Sequence, residues 1–210
     1  MGHRALVAYE RLDSLYNLHY SHWGAHNLRL KHAITPETPF GMETAVPGTR
    51  DCFEALLGAA DTDAANEIVA DADLQHARVN HEPRAVAVSF QTILEEYLDF
   101  LHHEAVYVVD VDFEVTAYRT HWFGLDYDSE SITAEPTVGN GLLRTVRWHD
   151  GTPVDDSYTN GEFRGLKAVV GDMVDWGVFT PETARDYLYL KLRELMPDDQ
   201  SVIAAKPDSP

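Results

Sequence analysis

RAVAVSFQTILEEYLDFL (residues 84–101) and AVYVVDVDFEVTAY (residues 105–118) decide the fold class. Arg84 to Val88 reads as a short strand. Ser89 stands where a helix cap is wanted, and Phe90, Ile93, Leu94, Tyr97, Leu98 and Leu101 then recur along one helical face. Residues 105–118, rich in Val, read as the longest strand. Strand, helix and strand in that order imply a crossover and one parallel pair. His102-His103-Glu104 would then end the helix, where imidazolium complements the dipole.

Working outward, residues 3–10 alternate Ala5, Val7 and Tyr9 with Arg4, Leu6, Ala8 and Glu10. Residues 15–23 alternate Tyr16, Leu18, Tyr20 and His22 with Asn17, His19, Ser21 and Trp23. These segments predict a β-hairpin. Residues 25–33 fit a strand or a short helix equally well. Residues 35–50 hold three prolines and two glycines and predict a loop. Asp51 and Glu54 suggest a capping box for one helix, and Asp61, Thr62 or Asp63 a cap for a second. Residues 142–149 predict a further strand after a polar loop, with a turn region from Gly151 to Gly161. Two helices follow, one carrying Phe163, Leu166, Val170, Met173 and Val174, the other opening Thr180-Pro181-Glu182. The expected class is α+β. It is a mixed, mostly antiparallel sheet with an N-terminal hairpin, one strand–helix–strand crossover and a later strand. Several helices pack on it, including a C-terminal helical pair. Residues 1–197 are expected to form one domain and 198–210 a disordered tail.

Charge narrows the setting. Thirty-five Asp and Glu face sixteen Lys and Arg, a net of −19, and only four of the sixteen are lysines. Such a chain repels itself in dilute buffer. In molar salt the Debye length falls to about 3 Å and the repulsion is screened. Acid-rich and lysine-poor together is the composition expected of a protein from a salt-accumulating cell. A partner-mimicking acidic face would concentrate its charge, whereas these acids are scattered from Glu10 to Asp208. The same balance argues against nucleic acid as a partner. No apolar run approaches bilayer length, and the charged N-terminus does not read as a signal or an anchor, so the expectation is a cytoplasmic protein without a membrane partner. Cys52, the single cysteine, can form neither an internal disulfide nor a thiolate zinc cluster and reads as a small core residue.

MGHRALVAYER (residues 1–11), with YNLHYSHWGAHNLRLKH (residues 16–32) after it, resembles a family of haloarchaeal proteins of unknown function. The resemblance implies a salt-loving cytosolic setting and no particular chemistry.

Two constellations are candidate sites. His19, His22 and His26 are spaced H-x-x-H-x-x-x-H, and neutral imidazole suits zinc-like ions. On a strand His19 and His22 point to opposite faces, which leaves His22 and His26 as the pair able to share a ligand, with Gly24 turning the chain between them. Tyr20 and Trp23 add stacking surface, so Tyr20, His22, Trp23 and His26 form the candidate ligand-binding set. Asp110, Asp112 and Glu114 would share one strand face and could take a divalent cation. They would otherwise be a solvated face, or one paired with Arg144 and Arg147. The segment around Trp176 has the outline of a helix-turn-helix without the basic face that a DNA reader needs. Phosphate-binding loops, the G-x-S-x-G elbow, paired C-x-x-C and H-E-x-x-H are missing from the sequence. Two readings remain. The favoured one is a non-catalytic interaction protein, with a protein partner or as a homo-oligomer, using the aromatic surface. The other is a small enzyme or divalent-metal-binding protein using the N-terminal histidines and the strand carboxylates.

Overall fold

The computed structural model describes residues 2–70, 72, 74, 76–197 and 199–205. Strands β1 (Ala5–Glu10) and β2 (Tyr16–Ser21) form the expected hairpin. A short turn at His26–Leu28 leads to helix α1 (Leu30–Ala33), then α2 (Thr49–Leu57) and α3 (Thr62–Val69). Strand β3 (Ala85–Val88) precedes helix α4 (Phe90–Thr92), which widens into a π turn over Ile93–Tyr97. Strands β4 (Ala105–Val109), β5 (Val115–Trp122) and β6 (Gly141–Thr145) follow, then the two-stranded ribbon of β7 (Arg147–His149) and β8 (Thr152–Val154). Helices α5 (Asp156–Asp175) and α6 (Pro181–Leu195) form the C-terminal pair, and β9 (Val202–Ala204) closes the order. The class is α+β, with a seven-stranded mixed sheet in the order β3-β2-β1-β4-β5-β6-β9.

One parallel pair is present, but it joins β1 to β4. The sequence suggested β3 and β4, and the hairpin lies between those two strands. The reason is the burial of β1. Ala5, Val7 and Tyr9 face one apolar cluster with α2 and α3, while Leu6 and Ala8 face a second with Ile93, Leu94 and Leu98. A strand covered on both faces belongs in the middle of a sheet. Full burial of a residue such as Leu6 is worth roughly 1.5–3 kcal/mol, so the alternation seen in the sequence gives way to a doubly apolar strand.

Several boundaries differ from expectation for local reasons. Residues 105–118 form a hairpin and not one strand. Asp110 Oδ1 accepts hydrogen bonds from the backbone N–H of Asp112 (2.9 Å) and Glu114 (2.7 Å), and Phe113 adopts φ 62°. That carboxylate stabilises a turn better than a pleat. The helix after Ser89 ends at Tyr97, because Leu98 and Phe100 bury against the sheet and the Phe100 N–H donates to the Thr137 carbonyl. His102-His103-Glu104 therefore lie beyond the helix. The hydroxyl of Ser89 does cap α4, accepting from the Thr92 N–H. Helix α2 begins at Thr49 after Gly48 at φ 82°, without the Asp51–Glu54 box. Asp61 caps α3, and Thr180 with Thr183 makes a reciprocal cap on α6. Helix α5 begins at Asp156, so Asn160-Gly161 lies inside a helix where a turn was expected. The tail expected over 198–210 is corrected at Val202–Ala204, which pairs with Leu142–Arg144 as an edge strand. Asp198 and residues 206–210 lie outside the described residues.

The third apolar cluster sits where α5 and α6 pack on Phe123, Leu125 and Leu142. Here the chain carries a buried ionic group. Arg144, only 1% exposed, donates from Nε to His121 Nε2 at 3.0 Å and from Nη2 to Asp156. Arg119 Nε reaches the other oxygen of Asp156 at 2.7 Å. One carboxylate at the first turn of α5 thus neutralises two guanidiniums from β5 and β6. Across the same helix Asp175 accepts from the hydroxyls and amides around Ser129–Ser131, pinning the loop between β5 and β6. Those bonds hold its carboxyl well below the usual carboxylate range.

Candidate functional site

The register of the three central strands builds one end of the sheet. Ala5 pairs with Ser21 on one side and with Ala105 on the other. The residues just outside those positions, Gly2–Arg4, His22–His26 and His103–Glu104, therefore meet at a single edge. The Ala25 N–H donates to the His3 carbonyl at 3.0 Å, and the Glu104 N–H to the Arg4 carbonyl at 2.8 Å. Buried Tyr107 donates its hydroxyl to the Gly24 carbonyl at 2.7 Å. Gly24 is needed here for space and not for a turn, since a Cβ would stand 2.8 Å from both Ser21 and Leu30.

On this frame six rings follow one another in edge or tilted contact. His103 lies against Tyr20 (centroids 6.3 Å apart), Tyr20 against His22 (6.3 Å) and His22 against Trp23 (5.1 Å). Trp23 then meets His3 (6.0 Å), and His3 meets His26 (5.1 Å). Arg84 stacks on the face of Tyr20 at 4.3 Å, the geometry of a cation–π contact. The row runs from buried to open. His103 is buried, Tyr20 and His3 are partly covered, and His22, Trp23 and His26 are exposed, the indole at 48%.

The hydrogen bonds fix what each imidazole can do. His22 Nδ1 lies 3.0 Å from the Tyr20 hydroxyl, and its ring lies beside Gly2, where a Cβ would stand 2.5 Å from Nε2. His3 Nδ1–H donates to Glu104 Oε2 at 2.9 Å. His26 Nε2 is 3.4 Å from the Asn27 amide. His103 Nδ1 accepts from the Asp99 N–H at 3.2 Å, and burial, then the charge of Arg84, pushes its pKa down to about 4. His102 instead pairs with the Asp99 carboxylate at 2.9 Å. His19 points to the other face of β2, buried, with Nδ1–H donating to the Asn80 carbonyl. His19 and His22 thus lie on opposite faces of the chain, as alternation along a strand requires.

Tyr20, His22, Trp23 and His26 are thus brought together on one surface, with the Tyr20 hydroxyl on Nδ1 of His22. The carboxylates of Asp110, Asp112 and Glu114 are not brought to it. They sit past Val109 at the far end of β4, about 16 Å along the strand from Ala105. Among the described residues, no group of three or more His, Cys, Asp or Glu side chains is arranged to hold a metal ion. Arg144 and Arg147 do not pair with those carboxylates either. Arg144 goes to Asp156, and Arg147 to Asp155 and Asp199. Two open cavities of about 450 Å³ lie by β6 and the edge strand β9, one beside Arg147, Trp148 and Gln200, the other beside Tyr189, Arg193 and Gln200. Cys52 is half-buried on α2, and burial raises its thiol pKa.

Sequence reasoning missed His3 and Glu104 as members of the row, because His3 reaches His26 through the register of the β1–β2 hairpin and Glu104 reaches His3 through the β1–β4 pairing. It also missed the Arg144 cluster. An arginine inside Leu142-Leu143-Arg144-Thr145 was the available signal, since a cation in an apolar strand demands a partner.

No curated protein and no solved structure matches the chain. No helix among the described residues is long and apolar enough to cross a membrane. A family model covers residues 1–204, and the chain belongs to that family, a family of unknown function (DUF6735).

Proposed function

We propose that this chain is a non-catalytic binding protein of a salt-rich cytoplasm, and that it engages a protein or peptide partner through the ring row at the N-terminal end of β1. The observation that carries this reading is the exposure of Trp23 between His22, His3 and His26 in a row held by backbone and side-chain hydrogen bonds. An indole half open to water, with its neighbours already fixed, offers area at little ordering cost. The imidazoles add donors and acceptors along the row's edge. Peptides selected from a random displayed library against the protein in molar potassium chloride test the reading. Selected peptides should lose at least about tenfold in affinity, roughly 1.4 kcal/mol, on Trp23→Ala. Peptides that bind the Trp23→Ala protein as tightly as the wild type would place the binding surface elsewhere.

The salt-rich setting rests on the net charge of −19 with four lysines. Thermal melts in potassium chloride from about 0.1 to 3 M should show the melting temperature rising as screening strengthens. A flat or falling series would remove this part of the proposal and leave the acid in need of a basic partner.

A further inference from the structure

Helix α5 carries an outward stripe that nothing in the chain covers among the described residues. Tyr158 is 68% exposed, Val169 52% and Trp176 76%, and with exposed Gly165 they fall within about 40° of one another around the helix. Gly161 and Gly165 lie inside this helix, where glycine weakens the backbone. Neither has a positive φ, and a Cβ at either position would meet nothing within 4 Å. Gly171 on the same helix differs, because its missing Cβ makes room for the Asp128 carbonyl. Among the described residues, the two outward glycines thus have no conformational or packing reason inside one copy of the chain.

We infer that α5 pairs antiparallel with α5 of a second copy, about a two-fold axis at the level of Lys167. The stripe is self-complementary about that level, as an isologous contact requires. Tyr158 and Trp176 are equally far from it on either side, so each tyrosine meets the partner's Trp176. Gly165 and Val169 are also equally far from it, so each valine fills the hollow over the partner's Gly165. The side chain of Lys167 itself turns inward to Asp128 and leaves the axis clear. Tyr158, Val169 and Trp176 leave open on the order of 400 Å² per copy. A standard stable interface takes about 800 Å² per partner, so this smaller contact, even with the glycines added, forms a weak dimer. Glu162 and Asp172 flank the stripe, and each copy carries −19, so the pairing strengthens with salt.

Sedimentation of the full chain in about 3 M potassium chloride, from about 1 to 500 μM, tests this. The wild type should shift from monomer to dimer across that range. Gly165→Gln should weaken the dimer at least tenfold while leaving the melting temperature of the monomer unchanged or higher, because the new side chain enters open space. Val169→Glu reads the same face independently, should either substitution disturb folding. A monomer at every concentration overturns the inference. So does a dimer that both α5 variants leave intact, or one abolished by Trp23→Ala, which would assign self-association to the ring row.

Discussion

Asp156→Asn should cost the fold about 3–5 kcal/mol, the scale for leaving a buried charge without its partner. Asp156 receives Arg144 from β6 and Arg119 from β5, and the side chains are 12%, 1% and 14% exposed. Asparagine keeps the size and one accepting oxygen but removes the negative charge that the two guanidiniums share. Burial also means that salt screens this cluster far less than the surface, so the loss should persist in molar potassium chloride. Arg144→Met should cost less than Asp156→Asn, because Asp156 then keeps Arg119 and no buried charge is stranded. Denaturant unfolding of the two variants checks the order. A loss under about 1 kcal/mol for Asp156→Asn would show that the cluster does not hold α5 to the sheet.

Acid should unfold the protein steeply between about pH 6.5 and 4. Three histidines are held neutral by the fold. Burial lowers the pKa of His19 to about 4, burial and then Arg84 that of His103 to about 4, and burial and then Arg144 that of His121 to about 3. The unfolded chain takes up these protons near pH 6.5, while the folded chain refuses them until pH 3–4. Between those limits the unfolded state binds more protons, so stability falls as pH drops, and above about pH 7 the three groups contribute nothing. With up to three protons involved the slope reaches about 4 kcal/mol per pH unit near pH 5, large against a total of about 5–15 kcal/mol. Asp99 and Asp175, whose carboxyls are held low, add their loss only at lower pH. Unfolding free energy measured against pH in constant molar salt gives this slope. A stability unchanged from pH 6.5 to 4.5 would mean that these imidazoles are open to protons in the fold.

The fold class and the hairpin were legible because period-two alternation survives in β2 and because Asp61 and Thr180 cap helices through chemistry local to the chain. What escaped the sequence was long-range. The β1–β4 pairing depends on both faces of β1 being covered, which no window of one strand can reveal. Asp110 could stand in a strand or close a turn, and the choice fell to its own backbone bonds with Asp112 and Glu114. The periodic run after Ser89 extended past Tyr97 on paper, yet the burial of Leu98 and Phe100 against the sheet stopped the helix. Of the site, Tyr20, His22, Trp23 and His26 were legible as one short span. His3, His103 and Glu104 join it only through the sheet register.

The row's role turns on whether its exposed rings bind or merely pack. Trp23→Ala and His26→Ala, measured for unfolding free energy and for affinity to a peptide selected on the wild type, decide this most directly. The account predicts stability within about 1 kcal/mol of wild type, as for surface positions, and affinity lower by at least about tenfold. Stability losses of about 2–3 kcal/mol with unchanged peptide affinity would contradict it and make the row a structural seam at the end of the sheet.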